Sequence, residues 1–315
     1  MQTISIPSKT DIEKAHRLIE PFVHYTPVLT SQTFDAMFGC RFFFKCENFQ
    51  KVGAFKSRGA VNAVFSLSDD DAAAGVATHS SGNHAQALAR AASLRHIKAY
   101  IVMPNNAPKV KIDAVRGYGA EITFCEPALS ARESTLKQVI NKTGAVEIHP
   151  YDNFEIVAGQ ATAAKELVEQ HPGLDIILAP VGGGGLLAGT ALATKYFSPK
   201  TKVTACEPAG ADDAYRSFKA GKIIPSENPQ TIADGLLTSL GVLNFEIIKN
   251  EVDDIVTVSE DSIKKAMKLI WERMKIIIEP SSAVPFAAVL EHTIEVKNKK
   301  VGIIISGGNV ELSLP

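Results

Sequence analysis

Four consecutive glycines lie between a short apolar run and a segment with helical periodicity. Together with the leucine that follows, they are Gly182, Gly183, Gly184, Gly185 and Leu186. Glycines at such a junction let backbone amides crowd around an anion, and the N-terminus of the next helix supplies partial positive charge. A tight turn that only needs positive φ values normally uses one or two glycines. The pattern therefore favours a phosphate site over an ordinary strand-to-helix turn.

The same glycines leave the kind of phosphate ligand open. Gly183, Gly185 and Ala188 fit the relaxed dinucleotide fingerprint, and Glu207 follows at the distance expected of a ribose-binding acid. An NAD-dependent oxidoreductase is therefore the alternative from another class of enzyme. The sequence has no Walker-type phosphate loop, so a nucleotidase of that type is not supported.

Lys56 is the second reactive feature, because it stands in a run of small and apolar residues directly after Phe55. Burial, together with the nearby cations Arg58 and Lys51, is expected to lower the pKa of its amine. Only a neutral amine attacks a carbonyl to form a Schiff base. A phosphate cradle combined with an activated lysine indicates pyridoxal 5'-phosphate, a cofactor whose ring accepts electrons from carbanions.

Two further turns rich in glycine and asparagine follow predicted strands. Residues 80–84 read Ser-Ser-Gly-Asn-His, and residues 306–309 read Ser-Gly-Gly-Asn. Open α/β sheets bind ligands at the carboxyl ends of their strands. We therefore expect these two turns and the glycine run to line one cleft.

A repeated unit of apolar run, turn and helical segment must position these turns. Helices are predicted at 83–94, 108–118, 129–142, 159–170, 186–197, 262–274 and 283–291. Such repetition predicts parallel sheets with crossover helices, and runs that are apolar on both faces predict strands buried between helix layers. The stretch 215–243 has no clear period and is predicted to be rich in loops. The fold class is α/β.

The composition excludes several classes of protein. The chain has 315 residues, with 33 basic against 34 acidic side chains and a net charge of -1. This balance argues against a nucleic-acid partner bound through bulk positive charge. The apolar runs are far shorter than the roughly 20 residues that cross a bilayer, and no secretory signal is visible. We therefore expect no membrane partner and a cytoplasmic location.

Six strings in this order closely resemble the fold type II pyridoxal-phosphate enzymes. They are residues 53–60, 80–84, 180–186, 232–235, 278–280 and 306–309. Within that class, the resemblance is to the serine racemase and serine/threonine dehydratase group, and also to the threo-3-hydroxyaspartate ammonia-lyases. It implies two domains of the tryptophan synthase β type, with parallel-rich sheets flanked by helices. Residues 1–65 and 150–315 would form the large domain, and residues 66–149 a small domain inserted in it.

The resemblance also assigns roles around the cofactor. Lys56 would hold it covalently and move protons on one face, Phe55 would pack against its ring, and Asn83 would bond its 3-hydroxyl. The glycines 182–185 with Leu186 would hold its phosphate, and Ser306 would contact its pyridine nitrogen. A hydroxyl at that nitrogen, in place of a carboxylate, leaves the nitrogen largely neutral and the electron sink moderate.

Ser81 separates the reactions that the resemblance implies. Ser80, Ser81 and Asn83 would bind the substrate carboxylate, and Ser81 would exchange a proton on the face opposite Lys56. Racemisation needs acid and base on both faces of the α-carbon, whereas dehydration needs only α-proton removal and loss of the β-hydroxyl. The expected function is a serine racemase with serine dehydratase activity that yields pyruvate and ammonia. L-threonine dehydratase and threo-3-hydroxyaspartate ammonia-lyase are the alternatives, and a helix-capping hydroxyl remains an alternative role for Ser81.

The resemblance further implies a divalent cation and a partner. Glu207, the Ala211 carbonyl and Asp213 would bind Mg²⁺, or Ca²⁺ or Mn²⁺, with water completing the shell. A small amino acid is the expected substrate and a homodimer the expected assembly. Lys51, Gln86 and Tyr118 match positions near the nucleotide site of mammalian serine racemases, but ordinary solvent-facing positions explain the last two equally well.

Overall fold

The computed structural model describes residues 4–80, 82–107 and 109–312. These residues form a mixed α/β structure. Its strands are β1 (Val28–Leu29), β2 (Arg41–Cys46), β3 (Val76–His79), β4 (Ala99–Pro104), β5 (Glu121–Cys125), β6 (Val146–Glu147), β7 (Ile176–Pro180), β8 (Lys202–Pro208), β9 (Asp254–Val258) and β10 (Lys300–Ile305).

The α-helices alternate with the strands along most of the chain. They are α1 (Lys9–Ile19), α2 (Gln32–Phe38), α3 (Lys56–Phe65), α4 (Asp69–Ala73), α5 (Asn83–Leu94), α6 (Lys109–Gly117), α7 (Leu129–Thr143), α8 (Phe154–Gln170), α9 (Gly185–Phe197), α10 (Asp213–Ala220), α11 (Val242–Glu251), α12 (Glu260–Met274) and α13 (Pro280–Leu290). The expectation of an α/β fold with crossover helices is confirmed.

The strands form two sheets. The larger has the order β1-β2-β10-β7-β8-β9, and the smaller has the order β5-β4-β3-β6. Strands within each sheet pair in parallel, apart from the antiparallel pair β1 and β2. All strands of the smaller sheet lie within the span predicted for the inserted domain. The proposed boundaries of that domain, at 66 and 149, stay a prediction.

Both faces of the larger sheet are buried, as its apolar strands predict. On β2, Phe43 packs into one apolar core while Phe42 and Phe44 pack into another on the opposite face. On β10, Ile304 joins the first of these cores and Ile303 joins the second. This alternation follows from the two-residue period of a strand, and it explains why helices cover the sheet on both sides.

Each predicted helix is observed, with ends that differ by up to five residues, whereas α1, α2, α3, α10 and α11 were not predicted. Helix α8 begins at Phe154 rather than at residue 159, because Asn153 caps it by accepting a hydrogen bond from the Ile156 amide. The stretch 215–243 is not loop throughout, since most of α10 lies in it. That helix is short and ends at Gly221 in the left-handed conformation, so it offers little periodicity to detect.

Among the helices of the described ranges, none is both long enough and apolar enough to span a membrane.

Candidate active site

One cavity of about 690 Å³ lies where the carboxyl ends of strands from both sheets meet. The turns after β3, β7 and β10 all line it, as predicted. It brings together the candidate substrate residue Ser80 and all of the candidate cofactor residues, namely Phe55, Lys56, Asn83, Gly182, Gly183, Gly184, Gly185, Leu186 and Ser306. Ser81, the predicted second catalytic residue, lies outside the described residues.

Lys56 is positioned by an extension of the larger sheet. Ala54 forms an antiparallel bridge with Gly307, and the Phe55 amide donates to the Ser306 carbonyl at 3.0 Å. The lysine is the first residue of α3, so the bridge places it beside the turn that follows β10. The bridge thereby joins two segments that are far apart in the sequence, at the point where the Lys56 side chain enters the cavity.

A close helix contact fixes the direction of α3. A Cβ atom on Gly59 would lie 2.5 Å from the Gln160 side chain, and one on Gly159 would lie 2.6 Å from the Gly59 Cα atom. Only glycine at these two positions lets α3 and α8 approach so closely. The contact lies one turn after Lys56, and it therefore holds the N-terminal end of α3 against α8.

The Lys56 amine has a depressed pKa for a reason that differs from the expected one. Burial lowers the pKa of Lys56 to about 8, and the Glu279 carboxylate opposes this shift. The expected contribution of Arg58 is wrong, because its guanidinium is paired with Glu47 at 2.7 Å and with Glu166 at 2.7 Å. The expected contribution of Lys51 is wrong as well, since desolvation alone lowers this pKa.

The glycine run forms the turn between β7 and α9. Helix α9 begins at Gly185 with no side chain capping its first amides, and the residues of this turn line the cavity. Gly184 has a φ of 92°, which favours glycine, and a Cβ atom on Gly183 would lie 2.4 Å from the Tyr151 ring. An uncapped helix N-terminus is a ready site for a phosphate. The glycines therefore serve both the turn and the packing of Tyr151.

The serine turn after β10 is held by a neighbour that the sequence did not indicate. The Ser282 hydroxyl lies 2.9 Å from the Ser306 hydroxyl, donates to the Gly307 carbonyl at 2.7 Å and accepts from the Gly307 amide at 2.7 Å. Both serines are buried. A ligand atom at the cavity wall would therefore meet a hydroxyl in a fixed position.

Asn83 is held by two residues of the recognised strings to which the sequence analysis assigned no role. Its amide nitrogen donates to both Glu279 carboxylate oxygens at 3.1 Å, and its oxygen accepts from the Asn309 side chain at 2.8 Å. Burial raises the pKa of Glu279 to about 7, while the Asn83 hydrogen bonds oppose that shift. The Asn83 side chain is therefore fixed in orientation where it lines the cavity.

Several polar side chains line the same cavity outside the recognised strings. Arg132 on α7 forms no ion pair with any carboxylate of residues 4–80, 82–107 and 109–312. Lys111 pairs with Asp234 at 2.6 Å across the opening. His149 lies in the segment between β6 and α8. Each stands alone in the sequence, with no motif around it, and only the fold brings it to the cavity.

The predicted metal ligands lie at the end of β8, outside this cavity. Glu207 is buried and accepts hydrogen bonds from the amides of Ala214 at 3.0 Å and Tyr215 at 2.9 Å. Asp213 is also buried, and neither of its carboxylate oxygens has a hydrogen-bond partner among the described residues. Burial raises the pKa of Glu207 to about 9 and that of Asp213 to about 6. Two neighbouring buried carboxylates, of which Asp213 has both oxygens unmet among the described residues, fit a divalent cation.

The dinucleotide alternative is not supported. The Glu207 carboxylate, which would bind a ribose, instead meets the backbone of the segment that leads into α10. The cavity instead suits pyridoxal phosphate, since it places an amine of low pKa, an uncapped helix N-terminus and a fixed hydroxyl around one space. The fold and the cavity thus define a fold type II enzyme that uses this cofactor.

Comparison with known proteins agrees with this conclusion. The chain belongs to the pyridoxal-phosphate dependent enzyme family, whose model matches residues 19–307. It is 54% identical to a serine racemase of Dictyostelium discoideum, over 99% of this chain and 98% of that protein. The crystal structure of serine racemase from that organism superposes with a TM-score of 0.93, covering 97% of this chain and 99% of the other.

Relatives that are named for other activities are almost as similar. The chain is 52% identical to a beta-hydroxyaspartate dehydratase of Paracoccus denitrificans, over 98% of each protein. The crystal structure of a T.th. threonine deaminase is 42% identical, covers 98% of this chain and 100% of its own, and superposes with a TM-score of 0.93. Similarity alone therefore does not separate these substrates.

Proposed function

We propose that this enzyme racemises serine and also eliminates water from it, giving pyruvate and ammonia. The observation that carries the proposal is the Lys56 amine, which faces the same cavity as the serine-asparagine turn after β3 and has a pKa lowered to about 8. The 54% identity to a serine racemase over nearly the whole chain supports the choice of substrate.

The residues divide the work between the two faces of the substrate. When bound, the cofactor would draw electrons from the α-carbon and so make its proton acidic. Lys56, in its neutral form, would take that proton on one face. Ser81 would return a proton on the opposite face, which inverts the α-carbon. If the β-hydroxyl instead leaves as water, which accounts for the proton that Lys56 took from the α-carbon, the result is elimination in place of inversion.

The start of α5 would bind the substrate carboxylate. The helix begins at Asn83 with no side chain capping its first amides, and the Ser80 hydroxyl accepts from the Gly82 amide at 3.3 Å. An uncapped N-terminus with hydroxyls beside it suits a carboxylate. Ser80, Ser81 and Asn83 are the residues we assign to this contact.

Three further assignments belong to the same proposal. Glu207, the Ala211 carbonyl and Asp213 would hold Mg²⁺, or Ca²⁺ or Mn²⁺, and brace the active site from outside the cavity. The enzyme would work as a homodimer in the cytoplasm. A nucleotide effector near Lys51, Gln86 and Tyr118 has no support beyond the sequence match.

A second substrate class is favoured by one observation. Arg132 brings a permanent positive charge to the cavity without a carboxylate partner in the described part of the chain. A guanidinium in this setting suits a second carboxylate on the substrate. Dehydration of threo-3-hydroxyaspartate is therefore the runner-up, ahead of dehydration of L-threonine, which has no second carboxylate.

The test is a kinetic panel on the enzyme loaded with pyridoxal phosphate. L-serine, D-serine, L-threonine and threo-3-hydroxyaspartate would be compared for formation of the opposite enantiomer and of the keto acid. We expect D-serine and pyruvate from L-serine. In Ser81→Ala, the rate of D-serine formation should fall by at least about 100-fold, which is the usual effect of removing a general acid or base. The rate of pyruvate formation should change little.

Ser93→Ala is the matched control, because Ser93 is an exposed serine on the same helix. It should leave both products unchanged. An enzyme that forms neither product from L-serine would refute the proposed function. An equal loss of both products in Ser81→Ala would contradict the assignment of Lys56 and Ser81 to opposite faces of the α-carbon.

A further inference from the structure

His149 lines the active-site cavity but belongs to none of the recognised strings. It lies in the segment that joins β6 of the smaller sheet to α8. The next residue, Pro150, accepts a hydrogen bond from the Lys56 amine at 2.7 Å. The imidazole is therefore one residue away from a direct contact with the group that moves the α-proton.

The hydrogen bonds of the ring fix its tautomer. His149 Nδ1 accepts from the Asp152 amide at 2.9 Å and from the Tyr151 amide at 3.3 Å. Backbone amides only donate, so Nδ1 carries no proton, and the neutral ring must carry its proton on Nε2. Residues 4–80, 82–107 and 109–312 supply no acceptor for that proton, and His149 lines the cavity.

The ring stays neutral and does not turn freely. Burial lowers the pKa of His149 to about 4; nearby Asp152 opposes the shift, while His79 and Lys56 add to it. The Tyr151 ring packs edge-on against the imidazole, with centroids 4.6 Å apart at 88°. Tyr151 is itself packed against the glycine turn. The cavity thus holds a rigid, uncharged hydrogen-bond donor near Lys56.

We infer that the Nε2–H group of His149 donates a hydrogen bond to the side-chain oxygen of a β-hydroxy amino acid and so selects substrates that carry a β-hydroxyl. The inference rests on the proposed function and adds a specificity-determining residue to it. A neutral donor matches a hydroxyl, whereas the charged Arg132 suits a carboxylate. A site built to bond a hydroxyl discriminates against analogues that lack it, because its own polar group is then left unpaired.

The variant His149→Asn separates the donor from the rest of the ring. The asparagine side-chain oxygen can take the place of Nδ1 and accept from the same backbone amides, but nothing then replaces the Nε2–H donor. His96→Asn is the matched control, because His96 is exposed and has a φ of 59°, a conformation that asparagine tolerates. Loading with pyridoxal phosphate, read from its absorbance, and the melting temperature report whether each variant is intact.

The loaded enzymes would be compared on L-serine and on β-chloro-L-alanine. Both give pyruvate and ammonia, but chloride leaves with its bonding electrons and needs no proton, whereas the hydroxyl leaves as water. For His149→Asn we expect kcat/KM for L-serine to fall about tenfold, the scale of one hydrogen bond, with less than about a twofold change for β-chloro-L-alanine. Equal losses on the two substrates, or no loss on L-serine, would overturn the inference.

A measurement on the unaltered enzyme keeps the inference testable even if His149→Asn does not fold. With ¹⁵N-labelled histidine, α-methylserine, which has no α-proton to lose, should shift the His149 Nε2–H resonance of the loaded enzyme. The analogue 2-aminoisobutyrate lacks the hydroxyl and should not. A ring protonated on Nδ1, or the same shift with both ligands, would overturn the assignment. Absence of any turnover of L-serine by the wild type would instead count against the proposed function.

Discussion

The Nζ atom of Lys56 donates a hydrogen bond to the Pro150 carbonyl oxygen at 2.7 Å. Lys56 begins α3, whereas Pro150 follows the last strand of the smaller sheet. The amine that would carry the chemistry is therefore held by the segment through which the chain returns from the smaller sheet. A partly buried amine with one neutral acceptor loses more solvation than this single contact restores, which explains its low pKa.

Lys56→Met should make the cofactor-free protein more stable at neutral pH. The amine has a pKa of about 8 in the folded chain against 10.5 for a free lysine side chain, so the unfolded chain binds more protons between these values. The stability of the wild type should therefore rise with pH across that window, and the advantage of the methionine variant should shrink. Urea unfolding at a series of pH values measures both trends.

The control for this prediction is Lys222→Met, at an exposed lysine, which should show no comparable trend. A wild type that loses stability relative to Lys56→Met as the pH rises from 8 to 10.5 would contradict the assigned shift.

A buried group of four charges beneath the site gives the second prediction. Arg58 pairs with Glu47 and Glu166, and Lys45 donates to Glu166 at 2.6 Å. All four side chains are buried. Arg58→Met leaves two buried carboxylates short of their cation, and such a loss costs about 3–5 kcal/mol in the free energy of unfolding. Urea unfolding of the loaded enzyme measures it.

Lys195→Met is the comparison, because Lys195 forms a solvent-accessible pair with Glu251. Its loss should cost no more than about 1 kcal/mol. Adding Glu47→Gln to Arg58→Met should recover part of the stability, since Lys45 and Glu166 then remain as a matched pair of opposite charge. If the single variant is as stable as the wild type, the network is not a stabilising feature of α3.

The incorrect prediction at Arg58 shows which features can be predicted from local sequence and which cannot. The strand-end turns and Lys56 were predicted because glycine spacing, apolar runs and helical periods are local properties of the chain. The prediction that Arg58 lowers the pKa of Lys56 was wrong, because its partners Glu47 and Glu166 lie in other elements. Glu279 stands in the recognised string 278–280, but its contact with Asn83 was not predicted, since the two lie 196 residues apart and no spacing rule joins them.

The third prediction concerns the buried carboxylates at the end of β8. Because the oxygens of Asp213 lack partners among the described residues, Mg²⁺ or Ca²⁺ should raise the melting temperature of the wild type, and a chelator should lower it. A ligand at 100 times its Kd adds about 2.7 kcal/mol to the stability of the folded state. In Asp213→Asn the response should be lost. Differential scanning calorimetry at matched ionic strength measures these shifts.

Asp212→Asn serves as its control, because the neighbouring Asp212 is more exposed and pairs with Arg216 at 2.8 Å. This variant should keep the response to the cation. Identical melting temperatures of the wild type with and without chelator would remove the metal from the proposal.

Arg132 gives the last prediction, which separates serine from substrates that carry a second carboxylate. A charge-assisted hydrogen bond contributes about 1.5–3 kcal/mol, so Arg132→Met should lower kcat/KM for threo-3-hydroxyaspartate by about 10- to 100-fold. L-serine should lose much less, because its only carboxylate is assigned to the start of α5. Arg132→Lys keeps the positive charge but lacks the planar guanidinium, so its kcat/KM for threo-3-hydroxyaspartate should lie between those of the wild type and Arg132→Met. If L-serine suffers the larger loss, Arg132 contacts the α-carboxylate, and the case for hydroxyaspartate as a substrate loses its structural basis.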